Sequence, residues 1–565
     1  MTPSEPAKDQ RPAPPAADVD VVIVGAGITG IYQLYRALEA GFSAVLLESG
    51  DGVGGTWYWN RYPGARFDSE SYTYGYLFSK ELFEEWEWHE HFAEQPEIEQ
   101  YLNHVVDRFD LRRHMRFGAA VTSAVYEESS GAWTITVGGG TEFRARFVVA
   151  ATGILSVPYF PEVPGRQQFR GPSYHTGLWP AEPVDFAGKR VAVIGTGSSG
   201  VQVIPAIADE VASLTVYQRS ANWCTPLNNR PITPDEQAQL KAGFEAMCKT
   251  LNASPSGFVH PTYDRRAFDD SINERLAYFE TMWRSPGFSK LTSNYTDLTV
   301  NHTANAQWCE FIAEKIRGIV KNPETAERLI PKDHLYAEKR PPFVTGYYET
   351  YNRPNVSLVD LRQTPMVRVT RRGIETTEGT REFDIIVWAT GFDFGTGALL
   401  RMGIQGRDGL ALADYWADGP KTFLGLQTAG FPNFFFPGGP HAAAGNNPRY
   451  NGDQVDFITD ALVYLRAHGY DTIEVDPVAE DRWTTMVDTG AAQSPFGEAS
   501  YFFGTNIPGK PHKYLLNSGG RPKLTKEIQR VFDTNYKAFR LAGPSHPADA
   551  GPAEAHPAEA GAADT

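Results

Sequence analysis

Two glycine-rich turns, each set between an apolar strand and a helical segment, constrain the fold of this 565-residue chain more than any other feature. The first turn, Gly25-Ala-Gly27-Ile-Thr-Gly30, directly follows the apolar run 20–24. In a G-x-G-x-x-G turn the first glycine permits a tight bend, the second lets the backbone approach a pyrophosphate, and the third allows close helix–strand packing. The pattern therefore predicts a β-α-β unit that binds a dinucleotide.

The residue at the end of the next strand indicates which dinucleotide binds. The strand 44–48 ends on Glu48, 18 residues after Gly30. A carboxylate at this position accepts a hydrogen bond from a ribose 2′-hydroxyl, so the first site is predicted to bind FAD. A glycine-rich surface turn, the alternative interpretation, would not explain Glu48.

The second turn has the same form but a different strand end. It contains Gly195, Gly197 and Gly200, and the strand after it ends on Arg219 and Ser220. A carboxylate would repel a 2′-phosphate, whereas an arginine can bind it through charge-assisted hydrogen bonds. We therefore predict an NADP site here; the alternative is that Arg219 is an exposed charge at a strand end.

The order of these motifs predicts an α/β fold in which one Rossmann-type domain is inserted into another and itself contains a helical subdomain. Two apolar strands end in Ala-Thr-Gly, at 147–153 and 385–391, and we expect the chain to leave the FAD domain after Gly153 and to return near Asp384. The expected segments are a disordered tail at 1–18, the FAD domain at 19–155 and 385–541, the NADP domain at 156–234 and 331–384, the helical subdomain at 235–330, and a second disordered tail at 542–565.

Apolar residues at helical spacing characterise the segment 235–330. One stripe contains Leu240, Phe244, Met247 and Leu251, and another contains Trp308, Phe311, Ile312 and Ile316. We interpret both stripes as helix-packing faces rather than ligand contacts.

Composition excludes several other classes of function. The formal charge of −16 argues against nucleic-acid binding, which depends on clustered Lys and Arg. Three widely separated cysteines form no Cys-x-x-Cys pair, so neither a disulfide framework nor a cysteine zinc site is expected. A polar N-terminus and the lack of a long apolar run predict a cytoplasmic protein without a membrane span.

Two further stretches carry a family resemblance. The segment Phe169-x-Gly171-x-x-x-His175-x-x-x-Trp179-Pro180 resembles the fingerprint of type I Baeyer–Villiger monooxygenases, and Gly55-Thr-Trp57 followed by 62–68 (YPGARFD) resembles the second motif of that family. The similarity continues through Lys339-Arg340, 388–393 and 506–511, so it covers roughly residues 20 to 535.

The resemblance implies a specific reaction. NADPH would reduce FAD, the reduced flavin would form a C4a-peroxide with O₂, and this anion would attack a ketone to give an ester or lactone. Arg340 matches the catalytic arginine of the family, and Asp68 matches the acid that pairs with it. A cation that keeps its proton suits this task, although an Arg–Asp pair can also be a purely structural salt bridge.

The resemblance also assigns cofactor contacts by position. For FAD these are Gly25, Gly27, Gly30, Glu48, Thr56, Trp57, Asp68, Tyr74, Val121 and Asn446. For NADP they are Arg66, Gly195, Thr196, Gly197, Ser198, Ser199, Gly200, Arg219, Ser220, Lys339, Arg340 and Tyr501. Tyr501 departs from the family, which usually has a tryptophan at this position, so coupling or substrate preference is expected to differ.

The fingerprint residues Phe169, Gly171, His175 and Trp179 are expected to form a hinge between the two nucleotide domains. In this hypothesis Phe169 and Trp179 anchor the connector by burial, and His175 hydrogen-bonds across the joint. The alternative is a structural histidine. His89 and His91 lie two residues apart and would not share a helix face, so no metal site is expected.

Three other functions remain open from the sequence. One is an oxygenase of the same architecture that acts on nitrogen or sulfur. A second is an NADPH oxidase that releases H₂O₂. The third is a nucleotide-binding sensor without catalysis, against which the retention of Asp68 and Arg340 argues.

Overall fold

The structure, a computed structural model, describes residues 18–543 except 443, 444, 493–495, 499 and 518. The two predicted tails therefore lie outside the described residues apart from their inner ends. Those ends are ordered into the fold, because Asp18 N donates to Arg144 O at 2.9 Å and Ala542 pairs with Thr472 in a β-ladder. The expected tail boundary at 542 is thus too early.

Twenty strands are assigned within the described residues. They are β1 (Val19–Val24), β2 (Ala44–Leu47), β3 (Met115–Arg116), β4 (Val121–Glu127), β5 (Ala132–Val137), β6 (Glu142–Ala150), β7 (Ser173–His175), β8 (Arg190–Ile194), β9 (Ser213–Gln218), β10 (Thr225–Pro226), β11 (Phe343–Val344), β12 (Val356–Asp360), β13 (Met366–Val369), β14 (Gly373–Thr376), β15 (Gly379–Glu382), β16 (Ile385–Trp388), β17 (Ile404–Gln405), β18 (Phe434–Phe435), β19 (Thr472–Val475) and β20 (Phe539–Ala542).

Eighteen α-helices are assigned within the same described ranges. They are α1 (Ile28–Glu39), α2 (Thr56–Trp59), α3 (Ser71–Tyr74), α4 (Lys80–Glu85), α5 (Gln95–Arg108), α6 (Ser198–Ile207), α7 (Pro234–Ala242), α8 (Phe244–Ala253), α9 (Ile272–Arg284), α10 (Ser289–Thr292), α11 (His302–Ile319), α12 (Pro323–Leu329), α13 (Tyr347–Thr350), α14 (Gly397–Arg401), α15 (Leu412–Tyr415), α16 (Asn447–His468), α17 (Pro477–Ala491) and α18 (Arg521–Asp533). Six short 3₁₀ segments lie at Arg112–His114, Arg166–Gln168, Thr176–Leu178, Ala267–Asp269, Arg407–Gly409 and Tyr501–Phe503.

Two sheets organise the chain, and each is buried on both faces. The first has the order β17-β4-β5-β6-β1-β2-β3, with β18 also paired to β6. Its central strands β6, β1, β2 and β3 are parallel, whereas β4, β5 and β6 form an antiparallel excursion. Val21 and Ile23 face one core cluster, while Val22 and Val24 face another, as the period of two along a strand requires.

The second sheet is entirely parallel, in the order β12-β9-β8-β16-β7. It too has a core cluster on each face, which is typical of parallel sheets. The predicted fold of two Rossmann-type domains is confirmed. We call the first sheet with its helices the first lobe, and the second sheet with helices α6–α13 and the small sheet β13-β14-β15 the second lobe.

One sequence-based assignment is wrong. The strand Ile385–Trp388 was expected to begin the returning FAD domain, but it pairs with β8 and β7 in the second sheet. The chain returns to the first lobe only after Gly391, where Asp393 N donates to Val157 O at 2.9 Å and Gly395 N donates to Ile154 O at 3.0 Å. The outgoing and returning segments therefore run side by side.

The helical segment follows the prediction only in part. Trp308, Ile312 and Ile316 of α11 are buried in the same cluster as Val191 and Val193, as expected of a packing face. The stripe at 240–251, in contrast, does not lie on one helix, because Gly243 separates α7 from α8. In α8 the backbone oxygen of residue 251 accepts a hydrogen bond from Arg521 at 3.0 Å, so this helix contacts the first lobe.

Candidate functional site

The first glycine turn has no room for larger side chains at two positions. Gly25 has φ +105°, and a Cβ there would lie 2.6 Å from the carbonyl oxygen of Ala151. A Cβ on Gly30 would lie 1.9 Å from the oxygen of Gly25. β1 therefore enters α1 through a bend that only glycine permits, and the first amides of α1 are left facing an open space.

A cavity of about 460 Å³ opens over this turn. Gly27 and Gly55 form its floor in close contact, since a Cβ on Gly55 would lie 2.7 Å from Gly27 Cα. The space fits FAD because the backbone is bare where a pyrophosphate must approach. Seven of the predicted FAD contacts line the cavity: Gly25, Gly27, Glu48, Thr56, Trp57, Tyr74 and Val121.

Glu48 is held at the cavity wall by the backbone. Its Oε2 accepts a hydrogen bond from Ala26 N at 2.6 Å and its Oε1 accepts one from Gly50 N at 2.8 Å. The side chain is buried, so these bonds replace the water that a carboxylate would otherwise bind. They also fix the direction of the carboxylate, whose oxygens can accept a hydrogen bond from a ribose hydroxyl.

Aromatic side chains form another part of the wall. The Trp57 and Tyr74 rings lie edge to face at 6.1 Å, with Trp57 Nε1 donating to the Tyr74 hydroxyl at 3.3 Å. Phe67 packs against both rings. Because Phe67 immediately precedes Asp68, this packing fixes the backbone that presents the carboxylate.

Three predicted FAD contacts lie away from the cavity wall. Gly30 lies beneath the turn and acts through packing, and Asp68 points toward Arg340. Asn446 is buried, and its Nδ2 donates to Thr73 O at 3.2 Å and to Gly257 O at 3.1 Å. It joins α3 to the segment at Gly257 instead of lining the cavity, because its amide nitrogen donates to their backbone carbonyl oxygens.

The second glycine turn repeats the geometry of the first. A Cβ on Gly195 would lie 2.3 Å from Ala389 O, and one on Gly200 would lie 2.2 Å from Gly195 O. A Cβ on Gly197, in contrast, would meet no atom within 4 Å. Gly197 precedes α6, which begins at Ser198 and Ser199, so the position between strand and helix is open to a phosphate.

This difference between the glycines gives a direct test. Gly197→Ala is expected to raise the KM for NADPH about tenfold or more, because the added methyl group can clash only with a bound cofactor. The melting temperature and the FAD content should stay at the wild-type values. Steady-state kinetics and flavin absorbance measure these quantities; an unchanged KM would contradict a pyrophosphate position over Gly197.

Basic side chains cluster where β9 ends. Arg219 is exposed there, and Lys339 Nζ lies 3.7 Å from Asp333 Oδ2. Burial lowers the pKa of Lys339, with Arg362 and Arg219 lowering it and Asp333 opposing them. Arg362 was missed by the sequence interpretation, although it lies in the same cluster.

Arg66 does not join this cluster. Its Nη1 lies 3.1 Å from Glu90 Oε2 and its Nη2 contacts Glu94. The guanidinium is therefore neutralised by two carboxylates of the first lobe, and no sequence motif predicts these ion pairs. Only its backbone oxygen approaches the second lobe, accepting from Gln202 Nε2 at 3.3 Å.

Arg340 and Asp68 meet across the two lobes, 272 residues apart in sequence. Arg340 Nη2 donates to Asp68 Oδ2, and Nη1 donates to Ser198 Oγ at 3.2 Å. The guanidinium carbon lies 5.3 Å from the centre of the Phe288 ring. Burial acts to lower the pKa of Arg340, but the nearby Asp68 carboxylate together with Tyr501 and Tyr336 outweighs it, and the pKa is raised. The site thus holds a permanent cation.

Tyr501 lies beside this ion pair. Burial raises the pKa of its phenol to about 12, with Arg340 opposing the shift and Asp68 adding to it. The phenol therefore remains protonated and available as a hydrogen-bond donor. Its ring lies 5.3 Å from Phe394, on the segment by which the chain returns to the first lobe.

Part of the fingerprint segment belongs to the second sheet. Its residues Ser173–His175 form the edge strand β7, and His175 pairs in register with Trp388. His175 Nδ1 accepts from Gly177 N at 2.9 Å, and the ring packs against Phe160 and Phe392, on the segments by which the chain enters and leaves the second lobe. The hydrogen bond of His175 across the joint stays a prediction. Burial lowers the pKa of His175 to about 4, which keeps the ring neutral.

Another fingerprint residue, Trp179, lies at the contact between the two lobes, and Gly171 lies where the backbone is closely packed. Trp179 is buried against Tyr62, with ring centres 6.4 Å apart, and Tyr62 donates to Gln202 Oε1 at 2.8 Å. Phe169 is half-buried, and a Cβ on Gly171 would lie 2.5 Å from Asp384 O. The two family motifs therefore meet at the contact between the lobes.

The described ranges contain neither a metal-binding cluster nor a helix long and apolar enough to cross a membrane. His89 lies outside any helix, and its Nδ1 is 2.8 Å from Glu97 Oε1. Cys224, Cys248 and Cys309 are free thiols.

Comparisons with known proteins agree with this site. Residues 22–256 match the pyridine nucleotide-disulphide oxidoreductase family model. A 2-oxo-Δ³-4,5,5-trimethylcyclopentenylacetyl-CoA monooxygenase of Pseudomonas putida is 41% identical over 93% of this chain and 98% of its own. A phenazine N-monooxygenase of Lysobacter antibioticus is 40% identical over 92% of this chain and 97% of its own.

A solved structure described as OTEMO in complex with FAD and NADP matches with a TM-score of 0.90 and 41% identity, covering 94% of this chain and 100% of the other. The fold and the two sites define an FAD-containing, NADPH-dependent monooxygenase. The chain belongs to the type I Baeyer–Villiger monooxygenases, which confirms the resemblance drawn from the sequence. FAD and NADPH are its cofactors.

Proposed function

We propose that this protein inserts one oxygen atom from O₂ beside the carbonyl group of an apolar ketone, and that Arg340 and Asp68 carry the reaction. The observation that supports this most directly is their contact across the two lobes, among aromatic rings. The rings of Phe288 and Phe343 make the surroundings of the guanidinium apolar, which suits a ketone without charge.

Arg340 would stabilise negative charge at the reacting centre. Its raised pKa means that it holds an anion without giving up a proton, as a nucleophilic oxygen anion requires. Asp68 fixes the direction of the guanidinium, and Ser198 anchors its other nitrogen. A donor that is already oriented needs no rearrangement when charge develops.

The remaining cofactor contacts follow from the geometry above. When bound, FAD takes electrons from NADPH and activates dioxygen. Glu48 would bind the FAD ribose, and the backbone near Gly27 its pyrophosphate. Arg219 and Lys339 would bind the 2′-phosphate of NADPH, and Tyr501 would contact its nicotinamide end. The aromatic walls exclude water, which favours oxygen transfer over release of H₂O₂.

A second candidate function is oxygenation of a nitrogen atom. One relative at 40% identity is described as a phenazine N-monooxygenase, so this scaffold supports that chemistry in another protein. The same fixed cation would serve both reactions, and the reacting atom of the substrate distinguishes them.

Product analysis under ¹⁸O₂ separates these functions. We expect holoenzyme with NADPH to convert at least one of cyclohexanone, cyclopentanone, a long-chain ketone and an aryl ketone to an ester carrying one ¹⁸O atom, read by mass spectrometry. Phenazine and a sulfide serve as comparison substrates. N-oxide as the only product would establish the second function, H₂O₂ as the only product an oxidase, and a flavin that NADPH does not bleach a sensor.

We also propose a cytoplasmic location, supported by the three free thiols. Fractionation of cells expressing the tagged protein tests this, and recovery outside the cytoplasmic fraction would contradict it.

A further inference from the structure

A third arginine lies at the end of β9, beside the two cations assigned to the 2′-phosphate. Arg362 follows β12, which runs parallel to β9, so the two strands end at the same edge of the second sheet. Arg362 Nη2 donates to Ser220 Oγ at 2.9 Å and to Asp333 Oδ2 at 2.5 Å. The side chain is 52% exposed.

Asp333 contacts two of the three cations in this cluster. These two are Arg362 and Lys339, and Arg219 is close enough to lower the pKa of Lys339. His334 Nδ1 lies 2.6 Å from Asp333 Oδ1, but burial lowers the pKa of His334, so it adds no charge at neutral pH. Three cations thus meet at this strand edge, where Asp333 contacts two of them and Asp360 Oδ1 accepts from Arg362 N at 2.9 Å. A cluster of cationic donors of this kind suits a dianionic ligand.

A hydrogen bond connects the cluster to the second glycine turn. Thr196 Oγ1 donates to the backbone oxygen of Ser220 at 3.1 Å. A nucleotide whose pyrophosphate lies over Gly197 would therefore place its ribose near Ser220. A phosphate on that ribose faces the cluster, because Ser220 Oγ is itself bonded to Arg362.

We propose that Arg362 is a further specificity-determining residue, which binds the 2′-phosphate of NADPH together with Arg219 and Lys339. Ser220 and Asp333 orient its guanidinium toward that group. This inference rests on the proposed function, because it requires NADPH to bind at the second turn.

Binding of nucleotide fragments to the holoenzyme tests the proposal without turnover. Arg362→Gln should weaken binding of adenosine 2′,5′-bisphosphate about tenfold in calorimetry, since a charged hydrogen bond is lost. Binding of 5′-AMP, which lacks the 2′-phosphate, should change less than twofold. Arg362→Lys keeps the charge and should fall between wild type and the glutamine variant.

Arg368→Gln is the matched control. Arg368 is a similarly exposed arginine of the second lobe, with its Nε 2.7 Å from Glu375 Oε2 and 59% of its side chain exposed. Its substitution should leave the binding of both fragments unchanged. The ratio of flavin reduction rates with NADPH and NADH, measured anaerobically, should fall only in the Arg362 variants.

The possible results are distinct. Equal binding of the bisphosphate by wild type and Arg362→Gln, or an equal loss for both fragments, would overturn the role of Arg362. A wild-type enzyme that does not prefer the bisphosphate to 5′-AMP would instead contradict the proposed 2′-phosphate site as a whole.

Discussion

Arg340→Ala is expected to lower the rate of ester formation by about 10²- to 10³-fold, the usual effect of removing a donor that stabilises a developing oxyanion. Reduction of the flavin by NADPH should remain within a few-fold of wild type, because Asp68 and the FAD cavity are untouched. Ester yield per NADPH consumed should therefore fall while H₂O₂ rises. Stopped-flow absorbance and gas chromatography measure the two steps separately.

A matched arginine controls for lost packing. Arg407 also pairs with a carboxylate, Glu474 at 2.7 Å, and lies 5.5 Å from the Tyr126 ring, but it belongs to the far side of the first lobe. Arg407→Ala should therefore leave the ester yield unchanged. Ester formation at the wild-type rate by Arg340→Ala, with full flavin content, would show that the Arg340–Asp68 pair has only a structural role.

Gly30→Ala is expected to reduce the FAD content of purified protein to below about a tenth of wild type. The new Cβ would lie 1.9 Å from the oxygen of Gly25, so the turn that presents the cofactor cradle has to open. Absorbance of released flavin per mole of protein measures the loss, and calorimetry measures binding of added FAD.

Gly200→Ala is the reciprocal variant. Its Cβ would lie 2.2 Å from Gly195 O, the same clash in the second turn. This variant should keep its FAD but lose NADPH binding, whereas Gly30→Ala should do the opposite. Gly318→Ala, whose Cβ meets no atom within 4 Å, should change neither property. Loss of both cofactors in both turn variants, with the melting temperature unchanged, would contradict the assignment of separate sites.

Local sequence patterns predicted much of this fold because they depend on neighbours along the chain. The bends at Gly25 and Gly195 and the carboxylate at Glu48 all lie within one β-α-β unit. Features that depend on distant partners were harder to predict. The strand 385–388 has the apolar run of any buried parallel strand, so its sequence does not show which of the two sheets it joins.

The same reasoning explains what the sequence did not predict among the site residues. Arg66 was assigned to NADP by position, and its ion pairs with Glu90 and Glu94, 24 and 28 residues away, could not be predicted from a motif. Arg362 meets Ser220 across 142 residues and has no motif around it. The only signal in the sequence was the expected parallel pairing of β9 with β12, because it brings the ends of both strands, and so Ser220 and Arg362, to one edge of the sheet.

The outgoing and returning segments connect the second lobe to the first lobe at a single place, so the second lobe can be exchanged as one unit. Tyr159 N donates to Gly391 O at 2.8 Å, so the points where the chain enters and leaves this lobe touch each other. The residues between Tyr159 and Gly391 can therefore be replaced by the corresponding residues of another family member without an added linker, because a domain whose two ends lie close together is readily inserted. Such a chimaera would take its preference for NADPH or NADH from the donor of the second lobe and would keep the FAD cavity of this protein.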